Sequence, residues 1–321
     1  MDVPNLVSAL IPVFFVLLLG YLAGKAHSFD QDQTAGLSKL ALNFALPASL
    51  FSGMAALPRA LLAQQDRLVI CLIAVHVGVL LLSNFTLRKL LRVQATRSLV
   101  LSLILASSAT PVFGVAVLSP LLGKTSIAAV GLVALAINFA IPLAVILFEI
   151  DAATKPTKSV DSGKISVHLS NPAINGLKIG LRSPLLWAPI LGCLVALTGR
   201  QLPVIVNGSL NFIGSATSGV AVFAVGLTLA AHPLMLSRSV LLGSLARITV
   251  QSLCLMVLAH WVHLSGPIYR EALICCSFPP ATTATLLAAK YRSSEAESAS
   301  ILLLTTLLLA LTIPILLYVS S

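Results

Sequence analysis

Ten apolar runs, each about long enough to cross a bilayer core of roughly 30 Å as a helix, dominate this sequence. They cover 5–24, 35–56, 67–87, 98–121, 126–148, 184–199, 204–231, 240–264, 268–290 and 297–319. Stretches such as Ile301 to Leu304 do not alternate in polarity, so a β-barrel is excluded and the expected class is all-α. Only 9% of residues are charged, against about 25% in soluble globular proteins. So few charges cannot cover a water-soluble surface, which excludes a soluble enzyme, a nucleic-acid binder and a disordered chain.

The position of the charges gives an expected topology. The first run is preceded by Asp2 and by no basic residue, and Gly24-Lys25 follows it without a cleavage pattern, so it reads as a permanent span. With ten spans, fifteen of the 20 Lys and Arg residues fall on the side that holds Lys25, Arg88, Arg97 and the loop 149–183; five fall on the other. The positive-inside rule places the first side in the cytoplasm and both termini outside it. The cationic excess is then explained by topology and lipid contact rather than by nucleic acid. The five cysteines lie within spans without metal or redox spacing and read as small apolar side chains.

A shift of 172 residues superimposes several marks without gaps. Pro12 falls on Pro184, Gly20 on Gly192, Ala109-Thr110 on Ala281-Thr282 and Pro142 on Pro314. The expected organisation is therefore a first five-helix repeat over 1–148, a cytoplasmic loop over 149–183 and a second repeat over 184–321. Five spans is an odd number, so the second copy would be inverted, an arrangement characteristic of secondary transporters. Within the loop, Ser170-Asn171-Pro172 reads as a helix start.

The repeat also locates a candidate site. Span 4 carries Ser107, Ser108, Thr110 and Pro111, and span 9 carries Pro279, Pro280, Thr282 and Thr283, at corresponding depth. Proline removes an amide donor and breaks the helix, and broken backbone inside a membrane must be buried in protein or face a watery cavity. Two breaks in register would bring two half-helix N-termini together, a setting suited to an anion with hydroxyls as further donors. Asn43 and Asn138 each stand four residues before a proline, Pro47 and Pro142. Either serves backbone groups freed by the proline or contacts substrate.

Equally informative is what the spans lack. All ten acidic residues fall in expected loops or at span ends, so no buried carboxylate is available as a proton or sodium relay. There is no HExxH motif or nucleophile–base spacing, so no enzyme activity, cofactor or metal site is expected. His76 is the most deeply placed histidine and is expected to bond a neighbouring helix. Lys39 and Arg247 stand near span ends, where they can snorkel or help to draw in an anion.

These residues resemble the auxin efflux carrier family, in its bacterial branch. The resemblance rests on Ile11-Pro12 with Leu19-Gly20-Tyr21-Leu22, on Asn43 to Phe51, on Ser183 to Gly192 and on Val225 to Ala230. It rests further on Phe278-Pro279-Pro280-Ala281-Thr282 with Lys290-Tyr291, and on Thr305-Thr306 before Pro314. It implies two inverted five-helix repeats. Spans 1, 2, 6 and 7 would form a scaffold, and spans 3–5 and 8–10 a mobile domain with crossing, broken spans 4 and 9. It also implies elevator-type movement of small organic anions. Plant members carry indole-3-acetate and some bacterial members malonate; residues 42–51 look closest to the malonate carriers. Many relatives place an asparagine just before the span 4 crossover, where this chain has Ser107, Ser108 and Thr110.

The resulting expectation is a carrier for malonate or a similar carboxylate in a bacterial inner membrane. Its partners would be that substrate and membrane lipids, with the coupling ion (proton or sodium) and a homodimer left open. The alternatives are a bile-acid-type sodium-coupled symporter and a membrane sensor on a transporter fold.

Overall fold

A computed structural model describes residues 3–56, 58–59, 65–123, 126–154, 184–231 and 234–320. They form helices and turns, and no strand occurs among them. In the first half, α1 is Val3–Lys25, α2 is Gln31–Leu40, α3 is Leu46–Ala55 and α4 is Asp66–Lys89. It continues with α5 over Ala95–Ala106, α6 over Thr110–Leu122 and α7 over Ser126–Thr154. In the second half, α8 is Pro184–Leu197, α9 is Val204–Gly214, α10 is Ala216–Ala230 and α11 is Arg238–Trp261. It ends with α12 over Pro267–Cys276, α13 over Thr282–Lys290 and α14 over Glu295–Ser320.

Local chemistry sets several boundaries. Asp30 starts α2 through a capping box: its Oδ1 accepts from the Gln33 amide at 2.7 Å, and the Gln33 side chain accepts from the Asp30 amide at 3.0 Å. A π-turn, Ala41–Ala45, joins α2 to α3. There the Leu46 amide bonds the Ala41 carbonyl, five residues back, directly before Pro47, which has no amide to give. The asparagine–proline spacing at 43–47 thus widens the helix rather than ending it.

Five helical stretches are long and apolar enough to cross a membrane: Asp66–Lys89, Ser126–Ala152, Val204–Ala230, Arg238–Trp261 and Glu295–Leu316. Shorter apolar helices cover Ile11–Lys25, Ala95–Ala106 and Thr110–Ser119. Of the other five runs, spans 4 and 9 are each divided into two short helices, span 2 is interrupted by its π-turn, span 6 forms the 14-residue helix Pro184–Leu197, and span 1 counts as apolar helix over Ile11–Lys25. Helix α7 also runs on to Thr154, beyond the expected loop start at 149. The remainder of that loop, 155–183, including the expected helix start at Ser170, lies outside the described residues. Large apolar side chains face outward, among them Ile205, Phe212 and Trp261 at 84%, 85% and 79% exposure. Such a surface is stable only against lipid, so the molecule is a multi-pass membrane protein.

The helices associate in two groups. In the first, α1 packs on α10, and α3 packs on α8 and α9. In the second, α4 packs on α5, α7 and α11, while α11 packs on α12 and α14, and α12 on α7. The seam between the groups is made by α7 against α3 and α8, and by α6 against α1 and α10. Two glycines at the 172-residue offset permit close helix approach. A Cβ on Gly20 would lie 2.2 Å from the Phe223 carbonyl oxygen of α10, and one on Gly192 would lie 2.6 Å from that of Phe51 in α3. With no hydrophobic drive between helices in lipid, such small-residue contacts supply the packing.

Candidate functional site

The centre of the second group is where both interrupted spans meet. Helix α5 ends at Ala106 and α6 begins at Thr110; α12 ends at Cys276 and α13 begins at Thr282. Pro111 occupies the first turn of α6, where its missing amide costs no bond. Between these ends, Ser108 and Pro280 form an isolated antiparallel bridge. The Ala109 amide donates to the Pro279 carbonyl at 2.7 Å, and the Ala281 amide donates to the Ser107 carbonyl at 3.2 Å. Unpaired backbone groups at this depth would be costly, and the two broken segments satisfy each other. These two amides are therefore committed to the bridge rather than open to a ligand.

Hydroxyls tie the segments further. Thr110 Oγ1 donates to the Cys275 carbonyl at 2.9 Å and lies 2.6 Å from Ser108 Oγ. Ser107 Oγ donates to the Leu103 carbonyl at 2.6 Å. Ser252 of α11 and Ser277 pair at 2.7 Å. Ser107, Ser108, Thr110, Pro111, Pro279 and Pro280 are all buried. Thr282 and Thr283, at the start of α13, are half-buried, and Thr283 Oγ1 has no hydrogen-bond partner.

Thr282 opens onto the seam. A small cavity of about 20 Å³ is lined by Thr282 and Val112 from the second group. From the first group it is lined by Ser38 and Ala41 near the π-turn and by Ala221, Ala224, Val225 and Thr228 of α10. Sequence reasoning did not single out Ser38 or Thr228, and hydroxyls inside apolar spans were their only signal. The structure thus brings eight of the expected residues to one place and two elsewhere. Asn43 is exposed and lines a separate apolar groove with Trp187 and Phe51. Asn138 is buried, and its Nδ2 donates to the Ala134 carbonyl of its own helix at 2.7 Å.

Three expectations about charge are corrected. Arg247 does not snorkel: it is wholly buried, donating through Nη1 to the Leu105 carbonyl at 3.2 Å and to Gln251 Oε1 at 2.6 Å. Gln251 Nε2 donates in turn to the Ala106 carbonyl at 3.0 Å. His76 bonds the Leu72 carbonyl of its own helix at 2.7 Å rather than a neighbouring helix. Buried carboxylates are present after all: Glu271 and Asp151, although near helix ends, are buried, the latter accepting from Thr96 Oγ1 at 2.7 Å. Arg97 and Glu297 form a two-point ion pair at 2.9 and 3.0 Å that joins α5 to α14. No cluster of His, Cys, Asp or Glu suited to a metal ion occurs among the described residues.

Apolar helices around a polar, interrupted centre define an integral membrane protein, and its relatives define it as a membrane transporter rather than an enzyme. A family model described as membrane transport protein matches residues 5–317, and the chain belongs to that family, the auxin efflux carriers of the sequence resemblance. It is 28% identical to the uncharacterized transporter YfdV of Escherichia coli strain K12, over 97% of this chain and 96% of that protein. It is equally similar to the YfdV proteins of Escherichia coli O157:H7 and Shigella flexneri.

Proposed function

We propose that this protein is a secondary transporter for a small carboxylate, malonate foremost, in the inner membrane of a bacterium, working by an elevator-type movement. Helices α4–α7 and α11–α14 would carry the paired crossover past a scaffold of α1–α3 and α8–α10. The observation that carries this reading is the placement of the crossover's Thr282 on the seam, facing Ser38 and Thr228 across the cavity. Hydroxyls and half-helix N-termini are donors suited to a carboxylate. A cavity of about 20 Å³ holds about one water, and a carboxylate with its carbon chain needs several times that. Substrate entry then requires the groups to part along the seam, which is what alternating access demands.

The pairing of helices supports the inverted repeat. Exchanging the halves turns the α1–α10 contact into the α8–α3 contact, and the α4–α5 contact into the α11–α12 contact. Purified protein in liposomes should accumulate or exchange labelled malonate or a close relative. Absence of movement for every member of a broad carboxylate panel would rule the proposal out.

A further inference from the structure

Arg247 is larger than the structural role it fills. Capping the C-terminal end of α5 needs donors to the Leu105 and Ala106 carbonyls, and Gln251 already supplies one of them. A guanidinium removed from water is costly unless it is paired and fully hydrogen-bonded. Here Nε and Nη2 are buried without any hydrogen-bond partner. Among the described residues no carboxylate pairs with Arg247, and the ion pair present is that of Arg97 with Glu297. A neutral glutamine would cap the helix at lower cost, so the charge itself calls for an explanation.

The ends of the broken helices provide one. The crossover collects two N-terminal ends that favour an anion and two C-terminal ends that repel it. Thr110 masks the α12 end with a hydroxyl on the Cys275 carbonyl, whereas Arg247 masks the α5 end with a full positive charge. We infer that Arg247 is the fixed counter-charge of the transported anion, a positioning residue that acts through the α5 terminus and makes the crossover select a carboxylate over its neutral analogue. This rests on the carboxylate reading above and adds the residue that sets its charge preference.

The test uses matched pairs of ligands, malonate with malonamate and propionate with propionamide, binding to the purified full-length protein in detergent. Wild type should prefer each acid to its amide. Arg247→Gln should lower that preference at least tenfold in a folded, monodisperse protein, and Arg247→Lys, which keeps the charge, should preserve most of it. An unchanged preference in Arg247→Gln, or equal loss of acid and amide, overturns the inference and leaves only a structural cap. If the glutamine variant does not fold, the lysine variant decides, because loss of the preference with the charge retained also overturns it. A chloride-dependent melting temperature in wild type that vanishes in Arg247→Gln, with ligand preference unchanged, would instead assign Arg247 to a resident chloride. Wild type that binds no acid at all removes the carboxylate reading itself, a separate outcome.

Discussion

Two threonines at the starts of paired half-helices do different work. Thr110 is buried and spends its hydroxyl on the Cys275 carbonyl, so it holds the crossover together. Thr282 is half-buried and faces the seam cavity, which in the proposed mechanism puts it against the substrate. Thr110→Val leaves a buried carbonyl short of a donor, at a cost of about 1–3 kcal/mol. It should lower the melting temperature of the detergent-solubilised protein. Thr282→Val should leave that temperature close to wild type and reduce uptake into liposomes at least tenfold; the opposite pattern would exchange the two roles. The residue types at this site were legible in the sequence, because Ala109-Thr110 recurs at the 172-residue offset as Ala281-Thr282 and both spans carry proline beside hydroxyls. Which hydroxyl is spent internally was not, since that depends on which carbonyl the partner segment presents. Arg247 was placed wrongly for a related reason: it shares a polar stripe with Ser244 and Gln251 on one face of α11, and only the packing of the neighbouring helices shows that this face is buried.

At the scale of elements, glycine fixes how closely helices approach, and proline fixes where they stop. A Cβ on Gly226 of α10 would lie 2.3 Å from the Leu17 carbonyl oxygen of α1, while Gly78 in α4 has nothing within 4 Å. Gly226→Leu should therefore separate α1 from α10 and abolish recovery of folded, monodisperse protein. Gly78→Ala should be recovered at wild-type levels. Equal recovery of both would show that this close approach is dispensable. The interruptions of spans 4 and 9 were legible from Pro111 and Pro279-Pro280, because a missing amide in lipid has few remedies. The π-turn at Ala41–Ala45 was not, because Pro47 announces a lost bond without saying which carbonyl the neighbouring amides will choose.

For the molecule as a whole, the sequence offered the order of the spans and the 172-residue offset, whereas the division into two groups came from packing that no span-by-span reading contains. In the proposed mechanism the seam between α3 and α7 slides, and it includes a contact suited to a lock. A Cβ on Gly53 would lie 3.4 Å from Ile127 Cβ, close to the range of about 3.5–4.5 Å spanned by a disulfide. The most direct measurement is malonate uptake by proteoliposomes carrying Gly53→Cys with Ile127→Cys, in a background whose native cysteines are alanine. Reduced protein should transport, oxidation should stop uptake, and reductant should restore it. Full uptake by completely cross-linked protein would contradict a sliding seam, and no uptake of malonate by wild type would contradict malonate as the substrate.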